Sequence, residues 1–155
     1  MKRVVLILFI GLAIASCKRT NKEAEELNKK FHALTSLDVS KAHELDEAYK
    51  AYFVNHPNDT ILPALYYQDA QLNVTFLKDN DNALKLLNKI LSDFPGHRRT
   101  PDILLFEGFI YENNLKDTTK AIQQYTRILQ QYPKHELASQ ADFCIKSLRS
   151  GALPK

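Results

Sequence analysis

Histidines are the side chains best suited to metal chemistry in this sequence, and two of its five histidines hold equivalent positions. His97 and His135 each follow a proline by two residues, and Asp59 has the same place after an earlier proline. Equivalent positions of neighbouring helical repeats lie about 8–10 Å apart, whereas zinc–ligand bonds are about 2 Å long. The sequence also has no HExxH motif and no paired cysteine and histidine spacing of zinc type. We therefore expect solvated loop histidines and no metal site.

Motifs for catalysis and for nucleic-acid binding are missing from the sequence. It has no serine nucleophile elbow, P-loop, Rossmann glycine pattern or kinase motif set, and only 4 glycines with which to build a phosphate-binding loop. Asp79 and Asp81 form an acidic pair, but turn formation is enough to explain them. The net charge of +3, which falls to +1 without Lys2 and Arg3, indicates no nucleic-acid partner. We expect no catalytic residues, no cofactor and no enzyme activity.

The N-terminal segment 1–16 has the organisation of a cleaved secretory signal. Lys2 and Arg3 supply positive charge, an apolar run follows from Val4 to Ala15, and small residues precede Cys17. A run of about 12 residues, rising about 1.5 Å per residue, is too short to cross a hydrocarbon core of about 30 Å as a helix. We therefore predict a removed signal peptide over residues 1–16 and no permanent transmembrane anchor.

The segment Ile14-Ala15-Ser16-Cys17 resembles the lipobox of bacterial lipoproteins, in which aliphatic and small residues precede a cysteine. The resemblance implies that the Cys17 thiol is lipidated and that residues 17–21 form a tether held to a membrane by acyl chains. It also implies an outer-membrane location facing the periplasm, because Lys18 replaces the aspartate that retains such proteins at the inner membrane. The alternative is an ordinary signal peptide followed by a coincidental cysteine.

Cys144 is the second cysteine, and lipidation of Cys17 would leave it without an intramolecular disulfide partner. It lies in an amphipathic segment that is predicted to be helical. We expect it to be buried as a small apolar residue, and the alternative is pairing with another molecule.

The elements that position these residues repeat along the chain. Pro57, Pro95 and Pro133 end similar segments and are evenly spaced in the sequence. The same offset relates Pro63 to Pro101, Leu77-Lys78-Asp79 to Leu115-Lys116-Asp117, Ala83 to Ala121 and Leu91 to Leu129. Such self-similarity predicts a supersecondary unit that occurs several times.

Apolar spacing within each repeat predicts helices that bury one face, as in Ala83, Leu87 and Ile90. Asp79 and Asp117 precede these stripes and are expected to be N-caps, whereas the repeat prolines end the helices. No run alternates with the period of a strand. We predict an all-α chain of about seven helices in one domain, residues 22–155, with helices near 22–36, 39–55, 60–77, 80–93, 100–114, 118–131 and 135–149.

These units resemble tetratricopeptide repeats, which pair two helices in about 34 residues. The matching positions are Ala83, Leu87, Ile90 and Pro95, then Ala121, Tyr125, Ile128 and Pro133, with Gly108 and Tyr111 in a first helix. Asn73 replaces the usual tyrosine, Ile90 and Ile128 replace small residues, and each repeat is longer by about four residues. The longer units are similar to those of the BamD-type and YbgF-type periplasmic proteins, and they imply a tetratricopeptide-like helical-hairpin solenoid.

In a solenoid of such hairpins, the face lined by first helices commonly holds a peptide or protein. The candidate partner-binding residues are Tyr66, Tyr67, Gln68, Gln71, Glu107, Tyr111 and Glu112, with Arg98 and Arg99 at a basic turn. Aromatic residues at helical spacing more often form part of a core than bind a partner, and a cluster such as His97-Arg98-Arg99 is usually a solvated turn.

The signal segment, the repeats and the candidate binding face together predict a membrane-anchored periplasmic lipoprotein. We expect it to act as a protein–protein interaction scaffold. The resemblance places it in outer-membrane or envelope assembly, with protein partners in the cell envelope. The alternatives are a module that binds peptides or cell-wall fragments, or a structural spacer.

Overall fold

The structure, a computed structural model, describes residues 22–35 and 38–151. The predicted signal peptide 1–16, the lipidation of Cys17 and the tether 17–21 lie outside these residues. The described part of the chain has no strand, so the all-α prediction is confirmed there. It forms seven helices: α1 (22–32), α2 (Val39–Asn55), α3 (Leu62–Leu72), α4 (Asn80–Asp93), α5 (Thr100–Phe109), α6 (Thr118–Gln131) and α7 (Leu137–Ser150).

Capping side chains explain where α4 and α6 begin. The Asp79 carboxylate accepts a hydrogen bond of 2.9 Å from the Asn82 N–H, and the Asp117 carboxylate accepts one of 3.0 Å from the Lys120 N–H. Each bond satisfies an N–H that has no partner within the helix. Both predicted caps are confirmed.

Two helices end in a wide π-helical turn that the sequence analysis did not anticipate. The segment Asn73–Leu77 continues α3, and Ile110–Asn114 continues α5. In the second turn, the Leu115 N–H donates to the Ile110 carbonyl, five residues earlier, at 3.0 Å. Such a turn accommodates an extra residue, which the apolar spacing of the predicted helices 60–77 and 100–114 does not reveal.

Three other helix ends differ from prediction because a side chain bonds to nearby backbone. Helix α1 ends at residue 32 rather than 36, and the following turn is closed by the Asp38 carboxylate, which accepts from the Thr35 N–H and hydroxyl at 3.1 and 2.8 Å. Helix α3 begins at Leu62 rather than 60 because Asp59 accepts from the Ile61 N–H at 3.1 Å. A similar bond from the Leu137 N–H to His135 precedes α7.

The helices divide into two compact units, the first ending at Leu77 and the second beginning at Lys78. In the first unit, Leu45 and Tyr49 of α2 and Leu65 of α3 are buried. Polar contacts join helix α1 to the rest of the unit: Glu23 contacts His56, the residue that follows α2, at 2.9 Å, and Asn28 contacts Gln68 of α3 at 2.5 Å.

The second unit contains α4 to α7. Its core cluster consists of Leu104, Ala121, Tyr125, Ile128, Ala141 and Ile145. Gly108 adjoins this cluster so closely that a Cβ atom there would lie 2.3 Å from Cε1 of Tyr125. Cys144 packs against the cluster and is half-buried rather than fully buried.

Candidate functional site

The predicted partner-binding residues are divided between the two units. Tyr66, Tyr67 and Gln71 belong to α3 in the first unit; Arg98 and Arg99 precede α5 in the second unit, which also contains Glu107, Tyr111 and Glu112.

In the first unit, the candidate residues differ in how much surface they offer. Tyr66 is buried, and its ring centroid lies 4.2 Å from that of Phe53. Gln68 is half-buried and bonds within the unit, donating to Asn28 and accepting from the Tyr49 hydroxyl at 3.3 Å. Tyr67 and Gln71 are half-buried and so keep part of their surface for a partner.

A buried acid pair lies between α2 and α3. Asp69 is 1% exposed and Asp46 is 5% exposed. The Asn73 amide donates to both carboxyl groups, at 2.9 Å to Asp69 and 3.3 Å to Asp46, while the Lys50 ammonium lies 2.6 Å from Asp46. Burial, followed by the negative charge of Asp46, raises the pKa of Asp69 to about 8. Burial next to a second carboxyl group therefore favours the protonated form of Asp69, while Asp46 pairs with Lys50.

Asn73 is one of the residues at which the sequence departs from the tetratricopeptide pattern that it resembles, where a tyrosine is usual. Its bonds to Asp46 and Asp69, together with one of 2.8 Å to the Asp69 carbonyl, give this departure a structural reason. A tyrosine has a single hydroxyl and would not supply a paired amide donor at this position.

Glu107 is the matching buried acid of the second unit. It is 1% exposed, and neither of its carboxyl oxygens has a hydrogen-bond partner. The Arg127 guanidinium lies 4.0 Å from Oε2, outside hydrogen-bond distance. Burial raises the pKa of Glu107 to about 7, against the opposing effect of Arg127. The side chain therefore lies inside the unit and presents almost no surface to a partner.

Glu112 and Tyr111 contribute to the packing of the wide turn that follows α5. Glu112 accepts a 2.8 Å hydrogen bond from the hydroxyl of Tyr125 in α6. Burial raises the pKa of Cys144 in α7, and the negative charge of Glu112 adds to this effect. Tyr111 is half-buried, with the Lys120 ammonium 5.3 Å from its ring centroid.

The basic turn before α5 is organised by His97. The His97 ring accepts the Arg99 N–H at 3.3 Å through Nδ1, and its carbonyl accepts the Thr100 hydroxyl at 2.7 Å. Arg98 is exposed and Arg99 is half-buried. In residues 22–35 and 38–151, no group of three or more histidine, cysteine or acidic side chains is placed to hold a metal ion.

An aromatic pair on α5, Phe106 and Phe109, was missed by the sequence analysis. The two rings are stacked with centroids 6.4 Å apart, and Phe109 is 46% exposed. The signal in the sequence was the continuous apolar run Ile103-Leu104-Leu105-Phe106, which exceeds what one buried helix face needs. Phe143 on α7 is also exposed, at 63%.

A cavity of about 240 Å³ lies between α1 and α2 in the first unit. Its lining combines apolar side chains with charged ones: Lys30, Ala33, Leu34, Lys41, Glu44 and Leu45. The Lys41 ammonium is already engaged by Asp38 at 3.0 Å.

Comparison with known proteins finds a similarity over one part of the chain. A family model described as tetratricopeptide repeat matches residues 107–135, which run from α5 through α6 to the turn before α7. No curated protein and no solved structure matches the chain. Among the described helices, none is both long and apolar enough to cross a membrane.

Proposed function

We propose, on the premise of the tetratricopeptide repeat in α5 and α6, that this chain is a membrane-anchored scaffold that binds a protein partner in the bacterial envelope. Repeats of this kind generally act as binding surfaces rather than as catalysts, which agrees with a sequence without catalytic motifs. The observation that carries the proposal is the stacked pair of half-buried Phe106 and exposed Phe109. Phe109 lies at the start of the matched repeat, and Phe106 immediately precedes it.

The aromatic pair suits protein recognition for a physical reason. Aromatic side chains offer a large apolar area and lose little conformational entropy on binding, so they are enriched at interface centres. Phe106 lies beside Phe109 and extends the apolar surface beyond a single ring. A partner that covers both rings would gain more than from an isolated exposed phenylalanine.

The membrane part of the proposal rests on the sequence around Cys17. Acylation there anchors the protein at the outer membrane, facing the periplasm. Residues 17–21 form a tether that lets the helices extend away from the membrane. Confinement to one membrane raises the effective concentration of partners in the same envelope, so modest affinity is sufficient. The similarity to BamD-type and YbgF-type proteins favours a role in outer-membrane or envelope assembly.

Affinity capture of the full-length protein from its native envelope tests the proposal, with Phe109→Ala as the variant. Loss of an aromatic residue at an interface centre is expected to weaken binding by at least about 2 kcal/mol, roughly thirtyfold. The matched control is Phe143→Ala, an exposed phenylalanine on another helix of the same unit. The proposed face is wrong if both variants, folded by circular dichroism, capture the same proteins as the wild type.

The cavity between α1 and α2 favours one alternative, a module that binds short peptides or cell-wall fragments. A lining that combines apolar side chains with a few charged ones is typical of small-ligand sites. Thermal unfolding with short peptides and muropeptides tests this alternative, because a ligand that binds the folded state raises Tm with concentration. Leu34→Phe, which fills part of the cavity, should abolish that rise.

A further inference from the structure

We propose that each compact unit contains a buried acid that must hold a proton for its helices to pack, so that the fold loosens as pH rises through neutrality. The two acids are Asp69 on α3 and Glu107 on α5. Their separation in the sequence equals that of the repeat prolines Pro57 and Pro95, so they occupy the same position of the repeat. Both side chains are 1% exposed, and each has at least one oxygen without a hydrogen-bond partner.

In the first unit, the surroundings of Asp69 favour its neutral form. From α2 it faces the carboxylate of Asp46, the ammonium of Lys50 and the phenol of Tyr49. Lys50 lies 2.6 Å from Asp46 and so neutralises that carboxylate rather than Asp69. Asn73 is uncharged, as is Asn28 of α1, which bonds to the neighbouring Gln68. A second negative charge at Asp69 would be buried beside the first.

In the second unit, a guanidinium group lies near Glu107 but does not form a hydrogen bond with it. Arg127 of α6 is 4.0 Å from Oε2 and bonds instead to Gln124 at 2.7 Å. Tyr111, in the wide turn that continues α5, is a titratable group near Glu107. The buried side chains of α4 and α7, which also pack against α5, are apolar. An ionised Glu107 would be stabilised only by movement of Arg127 toward it or by entry of water between α5 and α6.

The direction of the pH effect follows from proton binding. The folded-state pKa is about 8 for Asp69 and about 7 for Glu107, both above the unfolded values of about 3.9 and 4.3. Between these limits the folded chain binds more protons than the unfolded chain. Their stabilising effect is complete below about pH 4, is lost progressively as pH rises, and is gone above the folded-state pKa values.

The size of this pH effect is measurable as the slope of the folding free energy against pH. One additional proton bound by the folded state lowers the folded-to-unfolded ratio about tenfold for each pH unit. From pH 5 to pH 6.5 both acids contribute, each in its own unit. The expected loosening separates α3 from α2 and α5 from α6, which are the pairs that enclose the two carboxyl groups.

Urea unfolding of the full-length chain at pH 5, 6, 7 and 8 tests the proposal. Asp69→Asn and Glu107→Gln keep the shape of each side chain while removing its charge. In the wild type, each acid should lower the folded-to-unfolded ratio by up to tenfold per pH unit. Each single variant should lack the contribution of the acid that it replaces, and the double variant should lack both contributions. Asp102→Asn, which removes a half-buried carboxyl group from the first turn of α5, is the matched control and should retain the wild-type slope.

The proposal is overturned if the wild type and both variants show the same slope between pH 5 and pH 7, since both acids would then be ionised in the folded protein. Amide hydrogen exchange of the wild type provides the test if a variant does not fold. After correction for intrinsic exchange rates, protection in α3 and α5 should fall with pH more steeply than protection in α7. Equal pH dependence in all three helices would also refute the proposal.

Discussion

At the scale of single residues, the contact of Gly108 with Tyr125 shows how little space the second unit leaves. The absence of a Cβ atom allows the aromatic ring of α6 to lie directly against the backbone of α5. The equivalent positions of the preceding repeat are Ala70 and Leu87. Tyr125 is larger than Leu87, and Gly108 is smaller than Ala70. The larger residue is therefore paired with the smaller one, which indicates that these two positions are matched in size.

We predict that Gly108→Ala destabilises the protein. Overpacking costs about 1–3 kcal/mol, which exceeds the gain of about 1 kcal/mol from the higher helix propensity of alanine. Urea unfolding measures the change. The Tyr125→Leu background restores the combination of the preceding repeat, so the cost of Gly108→Ala should be at least about 1 kcal/mol smaller there. An equal cost in both backgrounds would show that the ring is not the cause.

At the scale of elements, one hydrogen-bonding pattern recurs in the turns before α3, α5 and α7. Asp59, His97 and His135 each accept the backbone N–H of the second residue after them, at 3.1, 3.3 and 3.3 Å. The two histidines can do so only with the proton on Nε2, which leaves Nδ1 as the acceptor. At these three equivalent positions, an aspartate carboxylate and two histidine rings thus accept the same backbone hydrogen bond, which gives the histidines a structural role in the turn.

We predict that His97→Ala lowers stability by about 0.5–1 kcal/mol, since it removes the acceptor at the start of α5. His97→Asp should retain most of the stability, because Asp59 performs this role before α3. Thermal unfolding at pH 7.5 compares the two variants with the wild type. If alanine and aspartate behaved identically, the contribution of the His97 ring to the turn would be excluded.

At the scale of the whole molecule, the described helices form two compact units, and the predicted anchor precedes them at Cys17. The signal peptide and the lipidation stay predictions, supported by the charged, apolar and small residues of the segment 1–17. The described helices supply no alternative membrane anchor that spans a bilayer.

We predict that Cys17→Ala transfers the protein from the membrane fraction to the soluble fraction. Two or three acyl chains hold a protein stably on a membrane, whereas a chain without them has no such anchor. Cell fractionation followed by immunoblotting measures the change, and Cys144→Ala is the control for loss of a thiol as such. Membrane association that survives Cys17→Ala would contradict the lipoprotein prediction.

The sequence by itself determined the repeat marked by its evenly spaced prolines, the all-α class, the caps at Asp79 and Asp117 and most helix ends. These features depend on apolar periodicity, prolines and capping side chains, which act within a few residues of the chain. Only the tertiary structure decided that Glu107 is buried while Phe109 is exposed, and that Asp69 shares Asn73 with Asp46. Burial and charge depend on side chains from separate helices, and these come together only when the helices pack.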